Sequence, residues 1–266
     1  MTSAREQADA AARDCGVGIR SARALKDFAE ISRLLDETWG RGSGADPSFV
    51  QAIAHAGNTV LLAERDGATV GALVGVLGWD GGLHVHSHVT AVTPAARGGV
   101  GFALKLAQRA LSLDHDVREV RWTFDPLIRR NAHLNLEKLG ATVRGYLPDF
   151  YGRLDDSISG ADASDRFEVS WQLDSPGVDQ AVSRVLARAW SPGAGEKEPA
   201  PGTNTSAEPA AHDHGIRFEL HEDFEALRWN DPDAAAEFRE ASRAVFVPAF
   251  EEGLSVEFVN GGYLFT

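Results

Sequence analysis

Residues 83–112, LHVHSHVTAVTPAARGGVGFALKLAQRALS, decide how the chain is read. His84, His86, His88 and Thr90 alternate with Val85, Ser87, Val89 and Ala91, a period of two that predicts a strand. Pro94 ends it. Gly98, Gly99 and Gly101 then open an amphipathic run in which Val100, Leu104, Ala107 and Leu111 share one face and Lys105, Gln108 and Arg109 the other. The spacing predicts a helix with one solvated face. Glycines at a helix start permit positive φ and close approach of a ligand, so several N–H groups can point at one anion, helped by the helix dipole. The same glycines also serve a plain tight turn. Neither G-x-x-x-x-G-K-[ST] nor G-x-G-x-x-G is present.

Working outward, 266 residues with 43% hydrophobic and 24% charged side chains suffice for one large or two small globular domains. A formal charge of −13 argues against nucleic acid or an anionic membrane as partner, because both demand concentrated Lys and Arg. Cys15 is the single cysteine, which excludes an intrachain disulfide and any multi-cysteine metal site and fits a reducing cytoplasm. There is no apolar leader at the N-terminus and no run of about 18 apolar residues. The expectation is a cytoplasmic protein.

Residues 1–16 are expected as a flexible tail, with a loose alanine-rich helix as the alternative. Gly18-Ile19-Arg20 starts a strand. Leu25, Phe28, Ile31, Leu34, Leu35 and Thr38 fall at helical spacing up to Trp39, and 49–55 reads as a second short helix. Val60–Arg65 and Thr69–Leu77 form a hairpin about Asp66-Gly67. Beyond the central helix, Glu119–Phe124 is a strand ended by Asp125-Pro126. Asn131–Leu139 is a helix stopped by Gly140, and 141–146 is another strand. Phe167, Val169, Trp171 and Leu173 alternate as a strand within 165–173. Residues 194–212 are rich in Pro, Gly, Ala, Ser and Glu and are expected to be disordered. The last 51 residues predict a strand, a helix from about 232 to 247, and a hairpin about Asn260-Gly261-Gly262.

Val92-Thr93-Pro94-Ala95-Ala96-Arg97-Gly98-Gly99-Val100-Gly101 resembles the acyl-CoA-binding motif of the GNAT acetyltransferase superfamily, R/Q-x-x-G-x-G/A after a strand, with G-x-G at Gly99 and Gly101. It departs at one place, since the position three before Gly99 is Ala96 and the basic residue is Arg97. The order of elements over 17–155 is also similar to that superfamily. More narrowly, TFDPLIRRNAHLNLEKLGA (123–141), with ALKLAQR before it and DFYG after it, looks like a subgroup of acetyltransferases of unassigned substrate. The resemblance implies an α/β fold of the α+β GNAT kind, with a mixed, largely antiparallel central sheet flanked by helices. The core would span 17–156. Residues 157–266 would be a C-terminal α/β extension that packs on it and completes an acceptor pocket.

The resemblance further implies acetyl-CoA or another acyl-CoA as donor and a small-molecule amine as acceptor. Ala91 and Val92 would pair with the pantetheine arm, and Arg97, Gly98, Gly99, Val100 and Gly101 would meet the phosphates. Acylating an amine needs a base for the ammonium and an acid for the departing thiolate. His88 is the candidate base, since neutral imidazole accepts a proton near pH 7; a buried, hydrogen-bonded histidine is the alternative. Asp125 is the second candidate base or ammonium anchor, although Asp-Pro is also ordinary turn chemistry. The resemblance points to Tyr151 as the acid, with Tyr146 as alternative. Asn131 and Asn135, one helical turn apart, either bond the pantetheine or solvate a helix face. Three histidines on one strand face invite a zinc reading, but same-face neighbours stand about 7 Å apart and no carboxylate is near in sequence, so no metal is expected. Two alternatives stay open. One is a donor thioester on an acyl carrier protein, which carries a single phosphate and asks less of this loop. The other is a catalytically silent ligand-binding module of the same fold.

Overall fold

The structure is a computed structural model and describes residues 2–40, 42, 45–152, 154, 162–189, 210–212 and 215–266. In chain order its elements begin with α1 Ala4–Asp14, β1 Gly18–Ser21, α2 Leu25–Trp39, α3 Pro47–His55, β2 Val60–Arg65, β3 Ala68–Gly78, β4 His84–Val92 and α4 Val100–Asp114. β5 Glu119–Phe124, α5 Arg129–Ala132, β6 Thr142–Leu147, β7 Arg166–Gln172 and α6 Pro176–Ala189 follow. The C-terminal part adds β8 Ala210–His212, β9 Gly215–Glu219, α7 Phe224–Asn230, α8 Pro232–Glu251, β10 Val256–Val259 and β11 Gly262–Phe265.

The fold is mixed α/β, as the sequence predicts. Seven strands form a sheet in the order β1-β2-β3-β4-β5-β7-β6; β4 pairs parallel with β5, while β1 to β4 and the β6–β7 pair are antiparallel. The chain divides into two compact units: residues 1–122 with 171–190, and residues 123–170 with 191–266. The division does not follow the expected cut after residue 156.

In the first unit, strand alternation buries both sheet faces. Val60 and Leu62 of β2 pack with Phe28, Ile31, Leu34 and Leu35 of α2 and Val50 of α3. Leu61 and Ala63, one residue out of phase, pack with Val100 and Leu104 of α4 on the opposite face. That is the period of two at work, and each large side chain so buried stabilises by about 1.5–3 kcal/mol. The β2–β3 turn has Asp66 at φ 51° and Gly67 at φ 79°, two consecutive left-handed residues that match the twist of a tight hairpin.

Two expectations fail in this unit. The tail expected over residues 1–16 gives way to its alternative, a helix, over Ala4–Asp14, and that helix is not loose: Ser3 and Glu6 form a reciprocal capping box, and Gln7, Ala8 and Ala11 are buried. The face of α4 expected to be solvated is covered, and Lys105, Gln108 and Arg109 are only 5%, 0% and 3% exposed. Arg109 shows why. It donates to Gln7 Oε1 of α1, to the Leu173 carbonyl at 2.7 Å and to Asp179 of α6 at 2.5 Å. Helix α6, which the sequence reading left out, supplies part of the cover.

The second unit is built on aromatic packing. Phe167 of β7, Phe218 of β9, Phe246 of α8 and Tyr263 and Phe265 of β11 are all fully buried. Phe167 meets Tyr263 at 5.1 Å and Phe218 meets Phe246 at 5.0 Å between ring centroids, both at steep interplanar angles, the arrangement the ring quadrupole favours. Tyr263 donates its hydroxyl to the Pro126 carbonyl at 2.7 Å. A second sheet runs β10-β11-β9-β8, its hairpin turning at Asn260 and Gly261, φ 50° and 83°. The helix expected over Asn131–Leu139 is instead the short α5 followed by a π-helical turn, His133–Lys138, in which Leu139 N–H reaches the Leu134 carbonyl at 3.0 Å. Helix α8 runs four residues past its expected end and holds Pro248. Ala210–His212, expected to be disordered, pair with β9 as strand β8; the rest of that expectation, residues 194–209, lies outside the described residues.

Candidate functional site

The first unit carries the strand, turn and helix from which the sequence was read. The β3–β4 ladder passes from Val74↔Val89 to Gly75↔Ser87, so His88 is the extra residue of a β-bulge. On the other edge of β4, the parallel ladder to β5 consists of Val85↔Val120 and His86↔Arg121. Ser87–Val92 therefore continue along β3 alone. Alternate residues of an antiparallel strand turn their N–H and C=O to the free edge, which leaves that edge open to an amide-bearing ligand.

After Val92 comes a short 3₁₀ turn, Pro94–Ala96. Gly98 and Gly99 then take φ of 111° and 106°, values that other residues reach only under strain. Gly99 caps α4. Helix geometry orphans the first N–H groups of α4; the first helical amide with a backbone acceptor is that of Ala103, bonded to the Gly99 carbonyl at 2.9 Å. The amides of Gly98, Gly99, Val100, Gly101 and Phe102 have no backbone acceptor among the described residues. Gly98 and Gly99 are exposed and so is Arg97, while Ala91 is buried and Val92 half-buried. One flank of the turn is occupied, since a Cβ on Gly99 would lie 3.3 Å from Cys15 Cβ. Beside Gly98 there is open space.

The histidines differ. His84 is buried, its Nδ1 2.8 Å from the Gly82 carbonyl. The rings of His86 and His88 are 6.2 Å apart. Burial pushes both imidazoles below the ordinary histidine range, and for His86 the other histidines and Lys105 add to the effect. His88 has an exposed surface, yet enough protein crowds its ring to disfavour the charged form. Among the described residues, no three His, Cys, Asp or Glu side chains are placed to hold a metal ion.

Behind β4 lies a residue that the sequence reading had assigned to solvent. Lys105 is fully enclosed, with Nζ 2.9 Å from Ser87 Oγ and 3.9 Å from the Trp122 ring centroid. Burial pushes its pKa down to about 7. Its helical position looks like any exposed lysine, and no sequence signal marks it.

In the second unit, Asp125 is buried and already committed. Its Oδ1 accepts the Leu127 amide at 3.0 Å, and its Oδ2 accepts from Arg228 at 2.5 Å and Arg239 at 3.1 Å. Burial works against ionisation there, but Arg239, Arg228 and Arg166 outweigh it and hold the carboxyl below its ordinary value. A carboxylate so neutralised is a poor proton acceptor, which removes Asp125 as a base. Tyr146 donates to Asp165 at 2.5 Å and burial raises its pKa further, so it serves the packing. Tyr151 is exposed, with its hydroxyl 3.4 Å from Thr123 Oγ1. Asn131 is half-buried in α5 and Asn135 buried in the π-helical turn.

No protein-family model matches the chain. No curated protein matches its sequence. Solved structures with a partial likeness to it include acetyltransferases described as of the GNAT family or superfamily. The putative acetyltransferase yncA of Salmonella typhimurium, determined with acetyl-CoA, is 20% identical over 60% of this chain and 95% of its own, with a TM-score of 0.49. Ard1 from Thermoplasma volcanium is 20% identical over 58% of this chain and 96% of its own, with a TM-score of 0.44. The phosphinothricin acetyltransferase of Sinorhizobium meliloti, in complex with acetyl-CoA, is 15% identical over 58% and 87%, with a TM-score of 0.48. Identities and scores this low carry no argument about chemistry. Among the described residues, no helix is long and apolar enough to cross a membrane.

Proposed function

We propose that this protein is an N-acyltransferase that takes an acyl group from acyl-CoA and delivers it to the amine of a small molecule. The observation that carries the reading is the row of amides from Gly98 to Phe102 without a backbone acceptor among the described residues, following a strand, β4, whose ladder to β5 among those residues ends at His86. An open strand edge suits the amides of a pantetheine arm, and a helix N-terminus suits its phosphates. The sequence motif at 92–101, similar to that of the GNAT superfamily, supports the same donor. The residues present fit this group: two left-handed glycines let the backbone approach an anion, and the space beside Gly98 is open. The donor supplies an activated acyl carbonyl.

The rest falls to the chain. Ala91 and Val92 orient the arm, and Arg97 to Gly101 bind its phosphates. His88 takes the ammonium proton, directly or through water, because crowding keeps its imidazole neutral near pH 7.

Calorimetry with acetyl-CoA tests the reading. Wild-type protein should bind it, and Gly98→Val should bind at least about tenfold more weakly, because a β-branched residue at φ 111° costs about 1–3 kcal/mol and displaces the turn. A Cβ at position 98 meets nothing within 4 Å in the protein, so the variant should keep its fold, which a thermal melt checks, and lost binding would report the strained turn together with the filled space beside it. Absence of acetyl-CoA uptake by the wild type sinks the proposal. For the base, kcat/KM should fall below the His88 pKa, which lies under 6.5, and level off above it. His88→Gln should cost about 100-fold or more and abolish that acid limb.

A further inference from the structure

The cations around Asp125 are not all accounted for. Arg228 and Arg239 bind Asp125 and Asp162, and Arg243 binds Asp165. Arg166, the first residue of β7, bonds no carboxylate among the described residues. Its Nε is buried with no hydrogen-bond partner, and its guanidinium carbon lies 5.3 Å from the centroid of the Tyr151 ring. Asp125 feels its charge without bonding it; the Asp125 oxygens accept instead from Leu127, Arg228 and Arg239. The enclosed Nε is out of a ligand's reach; a ligand would meet the guanidinium through its terminal amino groups, which have no acceptor among the described residues and are not among the enclosed unpaired atoms.

The surroundings are built, not loose. Tyr151 and Phe150 are 42% and 47% exposed, with ring centroids 4.6 Å apart. Their backbones are tied down: Tyr151 N–H donates to Ser164 Oγ at 2.8 Å and Phe150 N–H to the Ser164 carbonyl at 3.1 Å. Asp149 N–H donates to Asp165 Oδ1 at 2.9 Å, and Asp165, fully buried, is clamped by Arg243 at 2.7 Å. Two apolar rings are thereby held facing solvent beside an unpaired fork of N–H donors.

We propose that Arg166, Tyr151 and Phe150 bind a small organic acid, Arg166 taking the carboxylate and the two rings its apolar or aromatic body. The guanidinium fork matches the two oxygens of a carboxylate, and the Tyr151 and Thr123 hydroxyls offer further polar contacts. The Arg166 guanidinium carries one positive charge, which a single carboxylate neutralises, so a monoanionic carboxylate is proposed over phosphate. The site lies wholly in the second unit and claims for ligand binding the Tyr151 that the resemblance offered as acid; its test reads carboxylate binding alone, so its failure and that of the acyltransferase reading are distinguishable.

The test is calorimetric titration of the full chain with phenylacetate, phenylacetamide and inorganic phosphate. Phenylacetate should bind with a dissociation constant at or below about 1 mM, and the neutral amide at least about tenfold more weakly, the loss of a charge-assisted pair. Arg166→Met should lose phenylacetate by a similar factor, with Arg166→Lys in between because it keeps a charge without the fork. A thermal melt shows whether Arg166→Met folds; should it not, Phe150→Ala, which removes an exposed ring, should weaken phenylacetate severalfold and leave phosphate unchanged. Equal binding of acid and amide, tighter binding of phosphate than phenylacetate, or no saturable phenylacetate binding overturns the assignment.

Discussion

Replacing Arg239 by methionine should destabilise the protein by about 3 kcal/mol, read as a lower urea midpoint, because it leaves buried carboxylates short of a partner. Arg239 is 1% exposed and donates to Asp162 Oδ1 and Oδ2 at 2.8 and 2.7 Å and to Asp125 Oδ2 at 3.1 Å. Arg228 touches the same two carboxylates, which keeps the cost near the lower end of what breaking a buried ion pair usually brings. Asp125→Asn should act in the same way from the opposite side: it leaves the buried Arg228 and Arg239 short of a carboxylate. An enzymatic base would behave otherwise, losing turnover while stability held. A variant Asp125→Asn with unchanged midpoint and lost turnover would reverse the assignment made from the geometry. The pH dependence has a definite sign. The folded-state pKa of Asp125 is depressed, so its stabilising contribution is present above the unfolded carboxylate range and is lost as pH falls through the folded value.

What the sequence made legible was local. The alternation of His84–Val92, the glycines at 98, 99 and 101, the Asp66-Gly67 and Asn260-Gly261 turns and the apolar stripe of α2 each follow from two to four neighbouring residues, and the structure has those elements. Helix α1 was also within reach, because Ser3 and Glu6 form the S-x-x-E signature of a helix start, but its alanine and polar content resembled a tail. The rest depends on partners far away in the chain. Nothing near Lys105, Gln108 or Arg109 says that α1 and α6 cover that face of α4. Asp125 looks like a free strand-end carboxylate until Arg228 and Arg239, more than a hundred residues on, close over it. The bulge at His88 is likewise invisible in an unbroken alternation, because it is a property of the register with β3.

Lys105 should contribute a stability that rises with pH between about 7 and 10. Its ammonium would unfold into water with an ordinary pKa of 10.5, while in the folded protein burial holds it at about 7. Between those values the unfolded chain carries a proton that the folded chain lacks, so raising the pH favours folding by up to about 1.4 kcal/mol per unit. Below about 7 both states are protonated and above 10.5 neither is, so the slope is confined to that window. No carboxylate bonds Lys105; its contacts are Ser87 Oγ and the Trp122 ring, and the nearby titrating group, His86, is already neutral across this range. Lys105→Met keeps most of the buried volume and removes the titration. The difference between the urea midpoints of wild type and Lys105→Met, taken at pH 6, 8 and 9.5, should move steadily in favour of the wild type, because the shifts of His86, His88 and Cys15 act on both proteins alike; the variant should be the more stable protein at pH 6, where the wild type bears an enclosed charge. Parallel slopes for the two proteins would show that Lys105 is not the titrating group.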